Sequence, residues 1–377
     1  MTRTAPPEGV SPSPFPLRLL VWQWSRLGSP PRLAVMLARA LSAQPNVTAL
    51  LSLSNRVQLP PDLARCELPV DTYDTMLGYV GRLLRFPVDL IRLRTRVKAL
   101  APDFAICAMP GPLDLLMAAA LRLLGVGFVV LVHDAEAHPG DGWPFQMTLQ
   151  RWLCRSATTV GALTDHVAAS LRRQGLVDTP DRPLIKVTHP PLTFGIDISV
   201  PRVPGPRRLL CFGRLLAYKG LDLLGDALPL LGPRHDFELR VVGTGPESPV
   251  LDRLRSTPSV TVENRWVPED EVGPLLAWSD ALILPYREAS QSGVAAAALA
   301  AGRQVVATRV GGLVEQLEGH PGAILCNPSP LGLAQALREL LDMPPARITP
   351  QDSNAAWDAM AACLLVQIRP LIGQVPG

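Results

Sequence analysis

The sequence predicts an α/β protein built from two tandem Rossmann-like domains that face each other across a cleft. Short apolar or β-branched runs alternate with longer helical patterns along the chain, which is typical of a parallel sheet covered on both faces. A stretch crowded with Pro and Gly, residues 190–208, interrupts this alternation once. The chain has 377 residues, which is more than one typical core accommodates, so two domains are expected.

The first domain is predicted to span residues 17–193, after a flexible tail at 1–16. That tail is rich in Pro and Ser and lacks the apolar core of a signal peptide or membrane anchor. The expected strands are residues 17–24, 47–53, 104–109, 128–133 and 158–162, with helices between them such as 32–43 and 165–174. Residues 113–132 have the length of a membrane span, but two charges and a Gly-Val-Gly turn interrupt them. We therefore expect a helix followed by a buried strand there.

The second domain is predicted to span residues 208–354, after a linker at 194–207. Its expected strands are residues 209–212, 238–242, 260–262, 281–284, 305–308 and 323–325. Residues 355–377 are expected to form one more amphipathic helix, and the pattern leaves open whether it returns to the first domain. Ligands of parallel sheets bind beyond the carboxyl ends of the strands, so a site in the cleft between the domains is expected.

Composition excludes several classes of function. The net charge is only +3 and no aromatic-studded basic patch is present, so nucleic acid is not an expected partner. The six cysteines are scattered and form no C-x-x-C pair, which argues against a zinc site and against a disulfide framework. This cysteine usage favours a reducing, cytoplasmic location.

Three stretches of the second domain could bind a diphosphate. In "CFGRLLAYKG", Gly213 turns the chain after a strand and is followed by Arg214 and Lys219, which could meet an anion or merely face water. In "LRVVGTGPE", Gly243 ends another strand, but the dinucleotide pattern G-x-G-x-x-G is absent, which disfavours an NAD enzyme. The chain also lacks an ordinary P-loop.

The third stretch begins a helix of small residues. Free N–H groups in the first turn of a helix attract a phosphate, and glycine lets it approach closely. The residues proposed here are Gln291, Ser292, Gly293 and Val294.

Taken in order, "GRLLAYKGLDLL", "VVGTGPE", "WVPEDEVGPLLAWSDALILPY" and "QSGVAAAALAAGRQVVATRVGGLVE" resemble the donor-binding domain of the retaining GT-B glycosyltransferases, over about residues 209–318. The resemblance implies that Arg214 and Lys219 hold the diphosphate of a nucleotide-sugar donor. It implies that Ser292, Gly293 and Val294 offer backbone N–H groups to the same phosphates, and that neither a metal nor a separate cofactor is required.

The sequence departs from the family at the nucleotide contact. The family commonly has two glutamates eight residues apart, the second of which binds the ribose. Here Glu288 is the only acid nearby, and Ala296 stands at the second position. We expect an altered ribose contact. Glu315, in "GGLVE", matches a family acid, but a helix-capping or structural role is an equal alternative.

The first domain offers one candidate for the sugar. "VLVHDAEAHPG" ends a strand in His133 and Asp134, with His138 nearby. A histidine at a strand end is often structural, but in the family a polar residue here faces the donor sugar. We therefore assign His133 to the catalytic site, with Asp134 as second choice. The spacing of the three residues is not a usual metal-ligand pattern, so no metal is expected.

Residues 79–100 interleave arginines with apolar residues. A basic amphipathic element can lie on an anionic membrane surface, which would suit a peripheral enzyme on the inner face of the membrane with a lipid-linked acceptor. The alternative is an ordinary helix with a solvated basic face, and Pro87 splits the pattern.

The predicted function is transfer of a hexose from a nucleoside-diphosphate sugar to a hydroxyl of a saccharide or lipid-linked acceptor, with retention of anomeric configuration. The two cations and the helix start would stabilise charge on the leaving group. Two alternatives stay open: a sugar-nucleotide epimerase on the same scaffold, and a degenerate, non-catalytic partner subunit. The base, the sugar and the acceptor are not predicted.

Overall fold

The structure is a computed structural model of the chain, and it describes residues 16–26, 28–57, 66–140, 142, 145–179, 182–195, 204–344 and 348–373. Residues 1–15 of the predicted tail and residues 196–203 of the predicted linker lie outside these ranges. Two six-stranded parallel sheets form the frame of the molecule. Their strands alternate with helices along the chain, so the predicted α/β class and the two Rossmann-like domains are confirmed.

The first sheet has the strand order β2-β1-β3-β4-β5-β6, and all its pairings are parallel. Its strands are β1 (Leu17–Gln23), β2 (Val47–Leu53), β3 (Phe104–Cys107), β4 (Gly127–Val132), β5 (Thr159–Ala162) and β6 (Leu184–Lys186). The central strands β3, β4 and β5 are buried along their whole length, because helices cover both faces of the sheet. The order of the strands reverses between β1 and β3, which creates a crevice at their carboxyl ends.

The second sheet has the order β12-β11-β10-β7-β8-β9 and is parallel as well. Its strands are β7 (Arg207–Phe212), β8 (Phe237–Gly243), β9 (Val260–Asn264), β10 (Ala281–Leu284), β11 (Gln304–Thr308) and β12 (Ala323–Cys326). Here the order reverses between β7 and β10. The loops that follow these two strands contain two of the three predicted diphosphate-binding stretches, and the third follows β8.

Thirteen α-helices connect these strands in the described residues. In chain order they are α1 (Ser29–Ser42), α2 (Met76–Leu84), α3 (Phe86–Leu100), α4 (Asp114–Leu123), α5 (Gln146–Ser156), α6 (Asp165–Arg173), α7 (Leu221–Ala227), α8 (Pro249–Arg255), α9 (Glu269–Trp278), α10 (Gly293–Ala300), α11 (Gly312–Leu317), α12 (Pro330–Asp342) and α13 (Ser353–Ile368). None of them combines the length and the apolar content needed to span a bilayer. Residues 113–132, which have the length of a membrane span, form α4 and β4 as expected.

The last helix, α13, packs on the first domain. Trp357, Leu364 and Ile368 belong to the same core as α1 and one face of the first sheet. The indole Nε1 of Trp357 donates to the carbonyl oxygen of Pro191 at 3.1 Å, and Ser353 Oγ donates to the same oxygen at 2.8 Å. The chain thus crosses back over the cleft after completing the second sheet.

Candidate active site

A cavity of about 650 Å³ lies between the two domains. Its first-domain wall comes from the loops after β1, β3 and β4, and its second-domain wall from the loops after β7, β8 and β10 and from the start of α10. These are the carboxyl ends of strands at both reversal points, where an open α/β sheet binds ligands. Nine of the ten predicted site residues line this cavity, namely His133, Gly213, Arg214, Lys219, Gly243, Gln291, Ser292, Gly293 and Val294.

The tenth, Glu288, is not among the lining residues. Its carboxylate Oε1 lies 3.8 Å from Nδ1 of His138 at the edge of the cleft, and about half of its side chain is exposed. In the described structure its neighbour across the cleft is therefore a first-domain histidine. The sequence could not give this position, because it depends on how the two domains meet.

Two tyrosines position the two cations of the β7 loop. Arg214 Nη2 donates to the hydroxyl of Tyr218 at 3.0 Å. Lys219 Nζ lies 3.7 Å from the ring centroid of Tyr286 and 4.8 Å from that of Tyr218, and both rings are buried. A cation over an aromatic face is held without losing its charge, so it can still attract an anion. Sequence reasoning missed these tyrosines, although each follows a buried strand by a few residues.

Glycines at the strand ends allow the loops of the second domain to approach one another. At Gly243, with φ 154°, a Cβ atom would lie 1.6 Å from the carbonyl oxygen of Gly213. At Gly220, with φ 67°, it would lie 1.8 Å from the carbonyl oxygen of Pro285. No side chain fits at either place. Gly243 is thus required by the packing of the β7 and β8 loops, whatever it contacts in a ligand.

The start of α10 is fixed by two side chains. Ser292 is the N-cap residue, and its hydroxyl accepts from the N–H of Ala295 at 3.2 Å. The N–H of Ser292 itself donates to Oε1 of Gln316 at 2.7 Å. The prediction of a free Ser292 amide is therefore corrected, because Gln316 already occupies that donor. Gly293 and Val294, the first two helical residues, have N–H groups that no carbonyl of their own helix can reach.

The start of α10 also lies close to the cation loop. A Cβ atom on Gly213 would lie 3.6 Å from Cγ2 of Val294. The Tyr286 hydroxyl, beneath Lys219, lies 3.5 Å from Oγ of Ser292. Arg214, Lys219 and the positive end of α10 therefore border one part of the cleft, and their charges add in attracting an anion.

His133 is buried and both of its ring nitrogens have partners. Its Nε2 donates to the carbonyl oxygen of Ala108 at 3.0 Å, and Nδ1 accepts from the side-chain amide of Gln291 across the cleft. Burial and the neighbouring His189, whose ring centroid is 5.8 Å away, lower the pKa of His133 to about 3. The imidazole is therefore neutral near pH 7, and the hydrogen-bond partners assign its proton to Nε2. Because it is not protonated to an imidazolium near pH 7, it does not act as a general acid there.

His138 spans the cleft beside this histidine. Its ring stacks on Tyr218 of the second domain, with 4.6 Å between centroids and 13° between planes. Nε2 lies 3.2 Å from Oδ1 of Asp134. Burial opposes the charge on His138, but the hydrogen bond with Asp134 and the charges of Asp134 and Glu288 outweigh it and raise its pKa. This cluster joins the loop after β4 to the cation loop.

The carboxylates that line the cavity are all paired. Asp134 contacts His138, Glu136 accepts from Ser170 and Arg173, and Glu269 accepts from Arg32. Within the described ranges, no group of three or more His, Cys, Asp or Glu residues is arranged to hold a metal ion. The site therefore offers cations, helix-start amides and a neutral histidine, with its acids engaged in internal contacts.

Glu315 connects the domains away from the cavity. Its Oε1 accepts from the N–H of His166 at 2.8 Å, and Oε2 accepts from the N–H of Asp165. The carboxylate thereby caps α6 of the first domain from α11 of the second. Of the two roles considered for Glu315, the structure assigns helix capping.

Two family profiles match most of the sequence. The one described as "Glycosyl transferases group 1" matches residues 206–343, and the one described as "Glycosyl transferase 4-like domain" matches residues 28–185. The first covers the second sheet with α7 to α12, and the second covers the first domain from α1 to β6, without β1.

Named relatives agree with these profiles. The chain is 26% identical over 306 residues to a 2-deoxystreptamine glucosyltransferase of Streptomyces kanamyceticus, covering 72% of this chain and 73% of that protein. It is 30% identical over 244 residues to a glycogen synthase of Mycobacterium tuberculosis, covering 60% and 58%.

Solved structures share the fold. A sucrose-phosphate synthase from Thermosynechococcus elongatus superimposes with a TM-score of 0.64 at 17% identity, covering 94% of this chain and 99% of that one. An Anabaena protein solved in complex with UDP and glucose gives a TM-score of 0.65 at 15% identity, covering 95% and 100%. At such identities the likeness concerns the GT-B architecture alone. The two profiles and the relatives show that the chain belongs to the group 1 glycosyltransferases and is a transferase of sugars.

Proposed function

We propose that the protein transfers a hexose from a nucleoside-diphosphate sugar to an acceptor hydroxyl with retention of anomeric configuration. One observation carries the proposal: Arg214, Lys219 and the start of α10 border the same part of the interdomain cavity. A diphosphate is the group that such a convergence of positive charge fits. The relatives' names support a hexose, since they include a glucosyltransferase and a GDP-mannose-dependent mannosyltransferase of Mycolicibacterium smegmatis that is 32% identical over 148 residues.

The cations act on the leaving group. As the bond between the sugar C1 and the diphosphate oxygen breaks, negative charge grows on the diphosphate, and Arg214, Lys219 and the amides of Gly293 and Val294 stabilise it. The acceptor oxygen attacks C1 from the same face, and its proton passes to the departing diphosphate oxygen. Asp134, Glu136 and Glu269, the carboxylates that line the cavity, each have a partner within the protein, and we assign none of them as a nucleophile.

His133 has a positioning role in this proposal. A neutral imidazole that accepts from Gln291 holds the loop after β4 against the loop after β10, where the donor sugar would lie. The acceptor is a saccharide or a lipid-linked saccharide. No observation favours the epimerase or the non-catalytic subunit over this reading.

The test is a screen followed by a point variant. Thermal shift with UDP-, GDP- and ADP-sugars identifies the donor, because a ligand that binds only the folded state raises the unfolding temperature. Labelled donor is then incubated with saccharide and membrane-extract acceptors, and the anomeric configuration of the product is read by NMR. Lys219→Ala should lower kcat at least about tenfold, which corresponds to about 1.4 kcal/mol on the barrier. Lys186→Ala, which removes an exposed ion pair with Asp165, is the matched control and should leave kcat unchanged.

Three outcomes would contradict the proposal. Release of a free epimer without transfer would favour the epimerase, and the absence of any thermal shift would favour a non-catalytic subunit. Equal kcat for Lys219→Ala and the control would remove Lys219 from the site.

A further inference from the structure

The exposed apolar side chains of the protein are concentrated on one pair of helices. Nearly half of the exposed large hydrophobic residues in the described structure lie within residues 76–91, on α2 and α3. Leu77 is 86% exposed, Leu84 80% and Ile91 68%. We call the set Met76, Leu77, Val80, Leu84, Val88 and Ile91 the apolar face. Such a concentration of exposed apolar side chains on one pair of helices is uncommon on a soluble surface and is typical of an interaction site.

The apolar face lies on the side of the helices that does not pack on the core. Helix α3 packs on α4 through its opposite side, where Leu93 and Val97 are buried in the first-domain core. Helix α2 has no buried residue at all, yet Leu77, Val80 and Leu84 recur at helical spacing. An ion pair between Arg82 Nη2 and the buried Asp89, at 3.4 Å, ties α2 to α3. The two helices therefore present the face as one unit.

The exposed charged side chains on α2 and α3 and at Arg85 between them are all positive. Arg85, Arg92, Arg94, Arg96 and Lys98 are all exposed. Asp89 is the only acid in the two helices, and it is buried against Arg82. None of the five exposed cations forms an ion pair with another described residue. A surface that combines apolar side chains with unbalanced positive charge is complementary to an anionic lipid headgroup layer.

We propose that the apolar face and its five cations dock the protein on an anionic phospholipid membrane. The leucines and Ile91 would enter the boundary between headgroups and acyl chains, while the arginines would contact lipid phosphates. A second copy of the chain is a poorer occupant, because two such surfaces facing each other would bring like charges together. The docking does not depend on which sugar is transferred.

The docked surface would lie next to the cleft. Arg26, in the loop after β1, donates to Asp74 at 2.7 Å, two residues before α2 begins. Its guanidinium also lies 5.9 Å from the ring centroid of Tyr73, and that ring contacts Tyr79 of α2. The preceding residue, Ser25, lines the cavity. A membrane under α2 would thus be close to the first-domain side of the cavity, opposite the proposed diphosphate site.

The test measures binding to vesicles in the absence of any sugar nucleotide. The full chain is sedimented with vesicles of phosphatidylcholine alone and of phosphatidylcholine mixed with an equal amount of phosphatidylglycerol. We expect strong binding to the mixed vesicles only, weakened by added salt. The pair Leu77→Gln with Leu84→Gln and the pair Arg92→Gln with Arg94→Gln should each lower the partition coefficient at least about tenfold. Leu331→Gln on α12 and Arg369→Gln, both exposed elsewhere, should have no effect.

Several results would overturn the proposal. It is wrong if the unsubstituted protein binds neither vesicle, if it binds both equally, or if the paired variants bind like the controls. Sedimentation equilibrium tests the other possible occupant, a second copy of the chain. If the protein is a dimer and the leucine pair disrupts it while vesicle binding stays unchanged, the apolar face is an interface between copies. Unfolding temperatures of all variants verify that they fold. Because no donor is present, failure of the transferase proposal would leave these results unaffected.

Discussion

At the residue scale, buried ionisable groups of the first domain pull the pH dependence of stability in opposite directions. Burial raises the pKa of Asp114 to about 7, while burial and His189 lower the pKa of His133 to about 3. Folded Asp114 keeps its proton in a range where the unfolded chain has lost it, so its contribution to stability falls as pH rises from about 4 to 7. Folded His133 lacks the proton that the unfolded chain binds, so its contribution rises from about pH 3 to 6.5.

Substitution of Asp114 by Asn removes the contribution to stability that falls as pH rises, and leaves the contribution of His133 in place. Asn keeps an oxygen that can accept from the N–H of Gly111, as Asp114 Oδ2 does at 2.6 Å. The free energy of unfolding of Asp114→Asn should match that of the original protein near about pH 4 and exceed it by on the order of 3 kcal/mol near about pH 7. Urea denaturation at several pH values measures this difference. Asp358→Asn, at an exposed carboxyl group, is the control. If the free energies of unfolding of the two variants change with pH in the same way, the raised pKa is wrongly assigned to Asp114.

At the element scale, the helix start at α10 combines stability with function. The Ser292 hydroxyl caps the first turn and Gln316 anchors the cap residue, so Gly293 and Val294 are held in place in the cavity wall. Helix α12 begins in the same way, with the Ser329 hydroxyl accepting from the N–H of Gly332 at 3.1 Å, but it does not line the cavity. The two serines make the same local contact in different places.

We expect Ser292→Ala and Ser329→Ala to cost a similar amount of stability, about 1 kcal/mol each, because each removes one N-cap hydrogen bond. Only Ser292→Ala should also lower kcat/KM for the donor several-fold, since its first turn no longer fixes the proposed phosphate-binding amides. Chemical denaturation gives the stability and donor-dependent initial rates give kcat/KM. If both variants lose kcat/KM, the loss reflects reduced stability in general. The start of α10 would then have no demonstrated role in binding the donor.

Most strands could be predicted from the sequence because each is a short apolar run buried on both faces. The predicted strands agree with the structure to within about two residues at their ends. Strand β6 was not predicted. It has three residues, Leu184–Lys186, of which only Ile185 is buried, so it carries no run of apolar residues. It exists because β5 offers it a free edge, which is a property of the assembled sheet.

The candidate site was predictable where glycines and cations follow a strand. Gly213, Arg214 and Lys219 lie together because a single loop carries them. The partners across the cleft were not predictable: Gln291 meets His133, and Glu315 meets the start of α6, over separations of about 150 residues. Such contacts depend on the packing of one domain on the other, and no local pattern encodes that. The occupied amide of Ser292 was missed for a similar reason, since Gln316 reaches it from the next helix.

At the scale of the whole molecule, polar contacts between the two domains border the cavity on several sides. Arg32 Nε donates to Glu269 at 2.6 Å on one side, and Thr164 Oγ1 donates to the carbonyl oxygen of Ser290 at 3.0 Å on another. Glu315 adds a charged cap to α6. Contacts of this kind are polar, which is typical of interfaces between domains that move relative to each other.

Glu315 offers the clearest test of this arrangement. Helix α6 keeps its own cap without it, because the Thr164 hydroxyl accepts from the N–H of Val167 at 3.2 Å. Glu315→Ala should therefore spare the fold and weaken the closed arrangement by about 1 kcal/mol, a change of about fivefold in its population. Small-angle scattering should report a larger radius of gyration, and KM for the donor should rise. Glu318→Ala removes an exposed pair with Arg309 inside the second domain and should change neither quantity. If the two variants scatter alike, the Glu315 cap is not what holds the domains together, and closure depends on the other contacts between them, such as those of Arg32, Thr164 and His138.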